Sequence, residues 1–189
     1  MSTPTPAPAP RRADAERNRG KILAVARRLF EAGADARPEL VAREAGVGVG
    51  TLYRHFATRE ALALAVYDEE LRRVADAAAE LLAQHPPALA LRAWMDRFAE
   101  RFERKHAMGE AMYALVRSSG VTVAATRARL AVAAQLLLDT GAADGSLRAG
   151  ARGDDLVAAL AGLCIACPDL AQRDRLDRLM GLLAAGLTA

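Results

Sequence analysis

One segment, Leu40 to Phe56, constrains the fold of this chain more than any other. It reads LVAREAGVGVGTLYRHF, in which two helix-forming stretches flank a glycine-rich turn. In the first stretch Leu40, Val41 and Ala45 share a helical face, and Gly46 follows where a helix end favours a left-handed residue. In the second stretch Leu52 and the final phenylalanine are four residues apart, which predicts an inward face. The segment therefore predicts two short helices joined by a tight turn.

The side chains that face outward on the second helix are polar, basic or aromatic. This pattern is typical of a helix-turn-helix, whose second helix enters the major groove of DNA. Gly48, Val49 and Gly50 are small, so the backbone at the start of that helix can approach the groove floor. At that approach the Thr51 methyl can meet a thymine methyl, and its hydroxyl can bond a base edge or a phosphate. The segment therefore predicts DNA recognition.

Three motifs fill the run from Asn18 to Tyr67, namely NRGKILAVARRLF, AGVGVGTLYRHF and TREALALAVY. They resemble the N-terminal domain of the TetR (tetracycline-repressor) family. The resemblance implies an all-α chain of about nine helices, with an N-terminal three-helix DNA-binding domain and a C-terminal helical bundle for ligand binding and dimerisation. We expect a DNA-binding domain over 13–58 and a regulatory domain over 59–189. Residues 1–12 are rich in Pro and Ala and predict a disordered arm.

The resemblance also implies which side chains meet DNA. Tyr53 and His55 match phosphate-contacting positions, and Arg59 stands where the family has a lysine that grips the backbone. Packing at the domain edge for Tyr53 and a plain surface role for His55 are the alternatives. The full predicted set of DNA contacts is Arg17, Gly48, Val49, Gly50, Thr51, Tyr53, Arg54, His55 and Arg59.

The distribution of charge along the chain agrees with the predicted DNA binding. The net charge is +3, and residues 1–60 hold 11 Lys and Arg against 7 Asp and Glu. A basic excess over the DNA reader is the electrostatic footprint of phosphate binding, although an ordinary fluctuation gives the same numbers. No apolar run reaches the length of a membrane span, and residues 1–12 contain no signal core. We expect a cytoplasmic protein without membrane attachment.

The rest of the chain predicts further helices and no sheet, because no segment alternates with period two. The first helix is expected from about Ala15 to Ala32, with Ile22, Ala26, Leu29 and Phe30 buried. Thr58 is a plausible N-cap for a long helix that ends near Gln84, before His-Pro-Pro. Later helices are predicted over residues 88–106, 109–118, 123–140, 154–167 and 170–187.

An apolar and aromatic stripe in the middle of the chain predicts a pocket for a small, largely apolar effector. Arg101, Lys105 or His106 is available for a carboxylate of that ligand. Ordinary core packing is the alternative explanation of the same stripe. By the resemblance, ligand binding shifts the spacing of two DNA readers and releases the DNA. The predicted pocket residues are Trp94, Phe98, Phe102, Met108, Met112 and Val116.

A homodimer on double-stranded operator DNA is expected, since one helix-turn-helix contacts too few base pairs for a genome. The resemblance implies that the last two helices of each subunit form a four-helix bundle. The core of a monomer could explain their small apolar residues equally. The predicted interface consists of Leu156, Leu160, Leu163, Cys164, Leu176, Leu179 and Leu183.

Other chemistries have weaker support. Cys164 and Cys167 read as a pair of small buried residues, with a thiol sensor as the alternative, and two thiols alone complete no zinc site. GVGVG lacks the lysine of a phosphate-binding loop. We therefore predict no enzyme, no cofactor and no metal. The competing function is a helical ligand-binding or interaction module that has lost DNA binding, supported by Arg37 and Pro38, where the family has a hydroxyl cap and an apolar residue.

Overall fold

The computed structural model of the chain describes residues 10–32, 34, 36–107, 120–168 and 170–189. Those residues form eight α-helices and one 3-10 turn, with no strand, which confirms the all-α prediction. The helices are α1 (Pro10–Glu31), α2 (Pro38–Ala45), α3 (Val49–His55), α4 (Arg59–Gln84), α5 (Pro87–Ala107), α6 (Gly120–Ala143), α7 (Gly153–Ala166) and α8 (Arg173–Leu187). The predicted helix over 109–118 lies outside the described residues.

Helix ends differ from expectation at three places. α1 begins at Pro10 rather than Ala15, because proline is tolerated in the first turn of a helix. It thereby takes in the last residues of the predicted arm, whose residues 1–9 lie outside the described part. α6 extends the helix predicted over 123–140 at both ends. The last predicted helix opens with a 3-10 turn, Leu170–Gln172, because Gln172 has φ −100° and ψ 9°, outside the α-helical range.

The chain divides into two compact units, residues 1–66 and 67–189, and α4 runs from the first into the second. In the first unit α1 packs on α2 and α3, and α2 packs on α3. The four residues predicted to face inward from α1 are buried, as are Val41, Leu52 and Phe56. Each of these side chains other than Ala26 stabilises the fold by about 1.5–3 kcal/mol, and the smaller Ala26 methyl by about 0.8 kcal/mol. This core fixes which face of α3 is left to solvent.

The second unit is a helical bundle with one contiguous apolar core. Its buried residues come from α4 to α8, with Leu147 added by the α6–α7 loop. Trp94 lies fully buried in α5, and its indole N–H donates to the backbone oxygen of Val74 in α4 at 2.8 Å. A buried indole needs such a partner, so this bond fixes α5 on α4. No described helix combines the length and apolarity needed to cross a bilayer.

α6 and α7 approach closely where α7 begins. The backbone N–H of Gly153 donates to Oε1 of Gln135 at 2.7 Å, and the Gln135 amide donates to the oxygen of Ala151 at 3.3 Å. A side chain of α6 thus satisfies an amide that would otherwise be unpaired at the start of α7. A Cβ on Gly153 would collide with the carbonyl oxygen of Ala131 and lie 2.7 Å from the Gln135 nitrogen. Only glycine fits there.

Gly153→Ala should destabilise the protein by about 1–3 kcal/mol, because the added methyl meets backbone atoms rather than a flexible side chain. Gly20→Ala in α1 is the matched control, since a Cβ there meets nothing within 4 Å. It should stabilise the protein by about 0.5–1 kcal/mol through helix propensity. Urea unfolding at a fixed protein concentration measures both. Equal midpoints for the two variants would contradict the close approach.

Candidate nucleic-acid interface

The turn between α2 and α3 is set by Gly46, whose φ of 66° and ψ of 35° are left-handed as predicted. Its N–H donates to the oxygen of Arg43 at 3.2 Å, and that of Val47 donates to the oxygen of Ala42 at 3.0 Å. These two bonds form a Schellman motif, which satisfies the last carbonyls of α2. The motif stops α2 and sets the direction in which the chain enters α3.

α3 starts from an open backbone. Gly48 is extended, with φ −65° and ψ 143°, and its oxygen accepts from the N–H groups of Thr51 at 2.9 Å and Leu52 at 3.1 Å. A Cβ on Gly50 would meet nothing within 4 Å, and one on Gly48 would have only the Thr51 hydroxyl nearby, at 3.8 Å. Packing within the chain therefore does not require either glycine. The space beside them is free for another molecule.

The structure brings four of the predicted contact residues together on the solvent face of α3. Val49 is 40% exposed and Tyr53 is 42% exposed, and Gly50 and Arg54 are also exposed. Thr51 and His55 are half-buried and border this face. We call Val49, Gly50, Tyr53 and Arg54 the α3 face. Leu52 and Phe56 are buried behind it, which confirms their predicted inward packing.

Tyr53 has a partner that sequence reasoning missed. Its hydroxyl donates to Oε1 of Glu39, in the first turn of α2, at 3.2 Å. Desolvation, followed by the charge of Glu39 and this hydrogen bond, raises the pKa of Tyr53 above its ordinary value. The two residues are 14 positions apart and lie in different helices. No local pattern links them, so only the packing of α2 on α3 reveals the contact.

Arginines of α1 lie near this surface with partners of their own. The Arg19 guanidinium lies 5.6 Å from the centroid of the Phe56 ring, a cation–π contact that ties α1 to the end of α3. Arg28 pairs with Glu44 of α2, and Arg17 pairs with Asp14 on its own helix. Exposed pairs of this kind contribute little stability. Arg17, a predicted DNA contact, is exposed on α1, and its guanidinium forms an ion pair with the Asp14 carboxylate.

The start of α4 is capped as the sequence predicted. The Thr58 hydroxyl accepts from the backbone N–H of Ala61 at 3.0 Å, and Glu60 lies in the first turn, where the helix dipole favours an acid. Arg59 is the first helical residue and is exposed. By contrast, Arg37 precedes α2 without a side-chain cap, and Pro38 is its first residue. α2 forms nonetheless, because proline has no N–H that needs a partner there.

Comparison with known proteins identifies the family of this chain. Residues 22–66 match the family described as "Bacterial regulatory proteins, tetR family". A solved TetR transcriptional regulator from Streptomyces coelicolor is 43% identical with a TM-score of 0.73, over 90% of this chain and 98% of that one. The TetR regulatory protein from Mycobacterium vanbaalenii is 31% identical with a TM-score of 0.66, over 95% and 100% of the two chains. The chain belongs to the TetR family.

A curated relative agrees over a shorter stretch. An HTH-type transcriptional regulator from Staphylococcus aureus is 36% identical over 78 residues, which is 40% of this chain and 41% of that protein. The chain thus spans about two fifths of the curated relative it matches. The family match and the solved relatives, which are transcription regulators, confirm what the motifs predicted. This TetR-family chain is a DNA-binding transcriptional regulator.

The described residues of the predicted effector pocket lie in the second unit of this TetR-family chain. Trp94 and Phe98 are buried in the core, with ring centroids 6.0 Å apart, and Phe102 is half-buried against them. Arg101 is also buried, with its guanidinium 5.1 Å from the Tyr67 ring centroid. The predicted pocket residues Met108, Met112 and Val116, and the side chains of Lys105 and His106, lie outside the described residues.

The residues predicted for the dimer interface divide by burial. Four of them are covered within a single chain, namely Leu156, Leu160, Cys164 and Leu176. The other three, Leu163, Leu179 and Leu183, are half-buried. Beyond that set, Ile165 of α7 is 62% exposed and Leu182 of α8 is 71% exposed. The large apolar side chains that α7 and α8 leave exposed are therefore Ile165 and Leu182, rather than the four buried residues of the predicted set.

The two cysteines are buried thiols at the end of α7. Cys167 follows the last helical residue, and its N–H donates to the oxygen of Leu163 at 3.1 Å. Among the described residues no group of three His, Cys, Asp or Glu is placed to hold a metal ion. Both thiols lie in the apolar core, where they pack as small apolar side chains would.

Thr58→Ala should lower the free energy of unfolding by about 1 kcal/mol, because the Ala61 N–H loses its cap. Thr58→Ser keeps a hydroxyl acceptor and should lie close to the wild type. Thermal unfolding of the three proteins at one concentration checks this. A Thr58→Ser variant as unstable as Thr58→Ala would show that the Thr58 methyl, rather than the cap, matters.

Proposed function

We propose that this regulator is a repressor that binds a two-part operator as a homodimer and leaves it when a small, largely apolar ligand binds the second unit. The observation that carries the proposal is the α3 face. It presents small, aromatic and basic side chains on a helix whose other side is anchored in a core. DNA as the partner implies action in the cytoplasm.

In the DNA complex α3 lies in the major groove, with its first residues nearest to the base edges. Gly48 and Gly50 allow the close approach, and Thr51 reads a base edge or a thymine methyl. Tyr53, His55 and Arg59 contact phosphates and fix the register, while Arg54 reaches a base or a phosphate. Phosphate contacts provide the affinity that salt weakens, and base contacts provide the sequence preference.

Two copies are needed because the genome offers about 10⁶ or more competing sites. α7 and α8 supply the surface for pairing. Ile165 and Leu182 are exposed, and Leu163, Leu179 and Leu183 are only partly covered by the core of their own chain, so each has apolar surface left for a partner subunit. A two-fold axis through these helices gives each subunit the same contacts.

The ligand acts on the second unit. Phe102 lies at the edge of the core, next to the buried Trp94 and Phe98, and Met108, Met112 and Val116 follow along the chain. The guanidinium of the buried Arg101 lies 3.9 Å from the buried carboxylate of Glu70, so a ligand that carries a carboxylate on an apolar body would compete with Glu70 for this cation. Release requires that the ligand bind the DNA-incompatible arrangement more tightly than the other, since equal affinity shifts nothing.

Arg59→Ala should weaken binding to the intergenic DNA beside the gene by about tenfold for each subunit, through loss of a charge-assisted phosphate contact. The slope of log K against log salt should become shallower by about one for each subunit. Arg127→Ala, an exposed residue of α6, is the control with the same charge change. Fluorescence anisotropy over a salt series measures both.

The same titration decides between the two candidate functions. A wild-type protein without affinity for that DNA at low salt would favour the ligand-binding or interaction module without DNA binding. Equal slopes for Arg59→Ala and Arg127→Ala would remove Arg59 from the contact set.

Leu182→Asp should convert a dimer into monomers, because the carboxylate would be buried between subunits without a partner. Sedimentation should give about twice the 20.1 kDa chain mass for the wild type and a single chain mass for the variant. Leu89→Asp is the matched control, since Leu89 of α5 is 61% exposed. A wild type that sediments as one chain at micromolar concentration would refute the dimer.

A further inference from the structure

Tyr53, the side chain proposed to contact a DNA phosphate, already forms a hydrogen bond in the free protein. The Tyr53 hydroxyl donates its single proton to the Glu39 carboxylate at 3.2 Å. A phosphate oxygen would need the same proton. Glu39 and the DNA backbone therefore compete for one donor.

Glu39 also differs from Asp14 and Glu44, two other acids on the surface of this unit. Asp14 and Glu44 pair with Arg17 and Arg28. Among the described side chains, Glu39 has the neutral Tyr53 hydroxyl as its hydrogen-bond partner and no cation at ion-pair distance. Within the described part of the chain, no arginine therefore pairs directly with the Glu39 carboxylate. A phosphate bound to Tyr53 would lie within a few ångströms of that charge.

We propose that Glu39 is a positioning residue that acts as a built-in competitor for the phosphate contact of Tyr53. It holds the Tyr53 ring in one orientation in the free protein and opposes the incoming phosphate through its charge. The result is a lower affinity for DNA of any sequence and an easier release. The inference rests on the proposed DNA contact of Tyr53.

The expected change in DNA affinity follows from the distance between the Glu39 carboxylate and the DNA phosphate. Two like unit charges about 4 Å apart in water repel enough to change an equilibrium constant about fivefold. The contact is exposed, so salt screens it. Removal of the Glu39 charge should therefore tighten DNA binding about fivefold for each subunit at low salt and less at high salt.

The test uses substitutions that separate charge from hydrogen bonding. Glu39→Gln keeps an acceptor for the Tyr53 hydroxyl but removes the charge, and Glu39→Ala removes both. Glu100→Gln, at an exposed site of α5, is the control for the change in net charge. Each dimer is titrated by anisotropy with the intergenic duplex and with an unrelated duplex, at low and at high salt.

We expect Glu39→Gln to tighten binding to both duplexes about fivefold for each subunit at low salt, and Glu100→Gln to match the wild type. The gain should shrink in a Tyr53→Phe background, where the competition for the hydroxyl proton is gone. A purely structural role would leave Glu39→Gln like the wild type, because the hydrogen bond is kept.

The possible failures are distinguishable. Wild-type binding with no gain in Glu39→Gln would overturn the inference and leave the DNA-binding function intact. No binding by either protein at low salt would overturn both. A spectroscopic titration provides a readout without DNA, since loss of the Glu39 charge should bring the raised pKa of Tyr53 closer to its ordinary value. A Tyr53 pKa unchanged by Glu39→Gln would contradict the contact itself.

Discussion

The left-handed turn at Gly46 is the constraint on which the recognition unit depends. Its φ of 66° suits glycine and disfavours residues with a Cβ, and the two hydrogen bonds beside it end α2. α3 then leaves in a direction that buries Leu52 and Phe56. The α3 face is what remains on the outside. A different turn would rotate α3 and replace the exposed Tyr53 and Arg54 with apolar side chains.

Contacts among α1, α2 and α3 bring acidic, basic and aromatic side chains together in this unit. α2 and α3 lie close enough for the Tyr53 hydroxyl to reach Glu39. α1 lies close enough for Arg28 to reach Glu44 and for Arg19 to cover the Phe56 ring. The surface offered to DNA therefore has a mixed charge. Affinity in such a surface is adjustable through single side chains, because exposed charges act additively and are screened by salt.

The second unit depends on the close approach of two helix backbones. Gly153 lets α7 approach α6 at backbone distance, and Gln135 bonds the amide that this approach exposes. The indole of Trp94 is bonded to α4 in the same core. A bundle packed in this way has few ways to deform gradually, so a ligand that displaces one helix shifts its neighbours as well.

The sequence determined the helices, the glycine turn, the Thr58 cap and the family. Each of these depends on residues close together in the chain, where helical period and capping chemistry act locally. It also determined which side of α3 is apolar, and so which side chains can face DNA. Only the tertiary structure decided that Glu39 holds Tyr53, that Gln135 caps α7, and that Leu156 and Leu160 are covered within one chain while Ile165 and Leu182 are not. Those facts depend on which helices pack together, because burial and long-range hydrogen bonds are set by neighbours in space rather than in sequence.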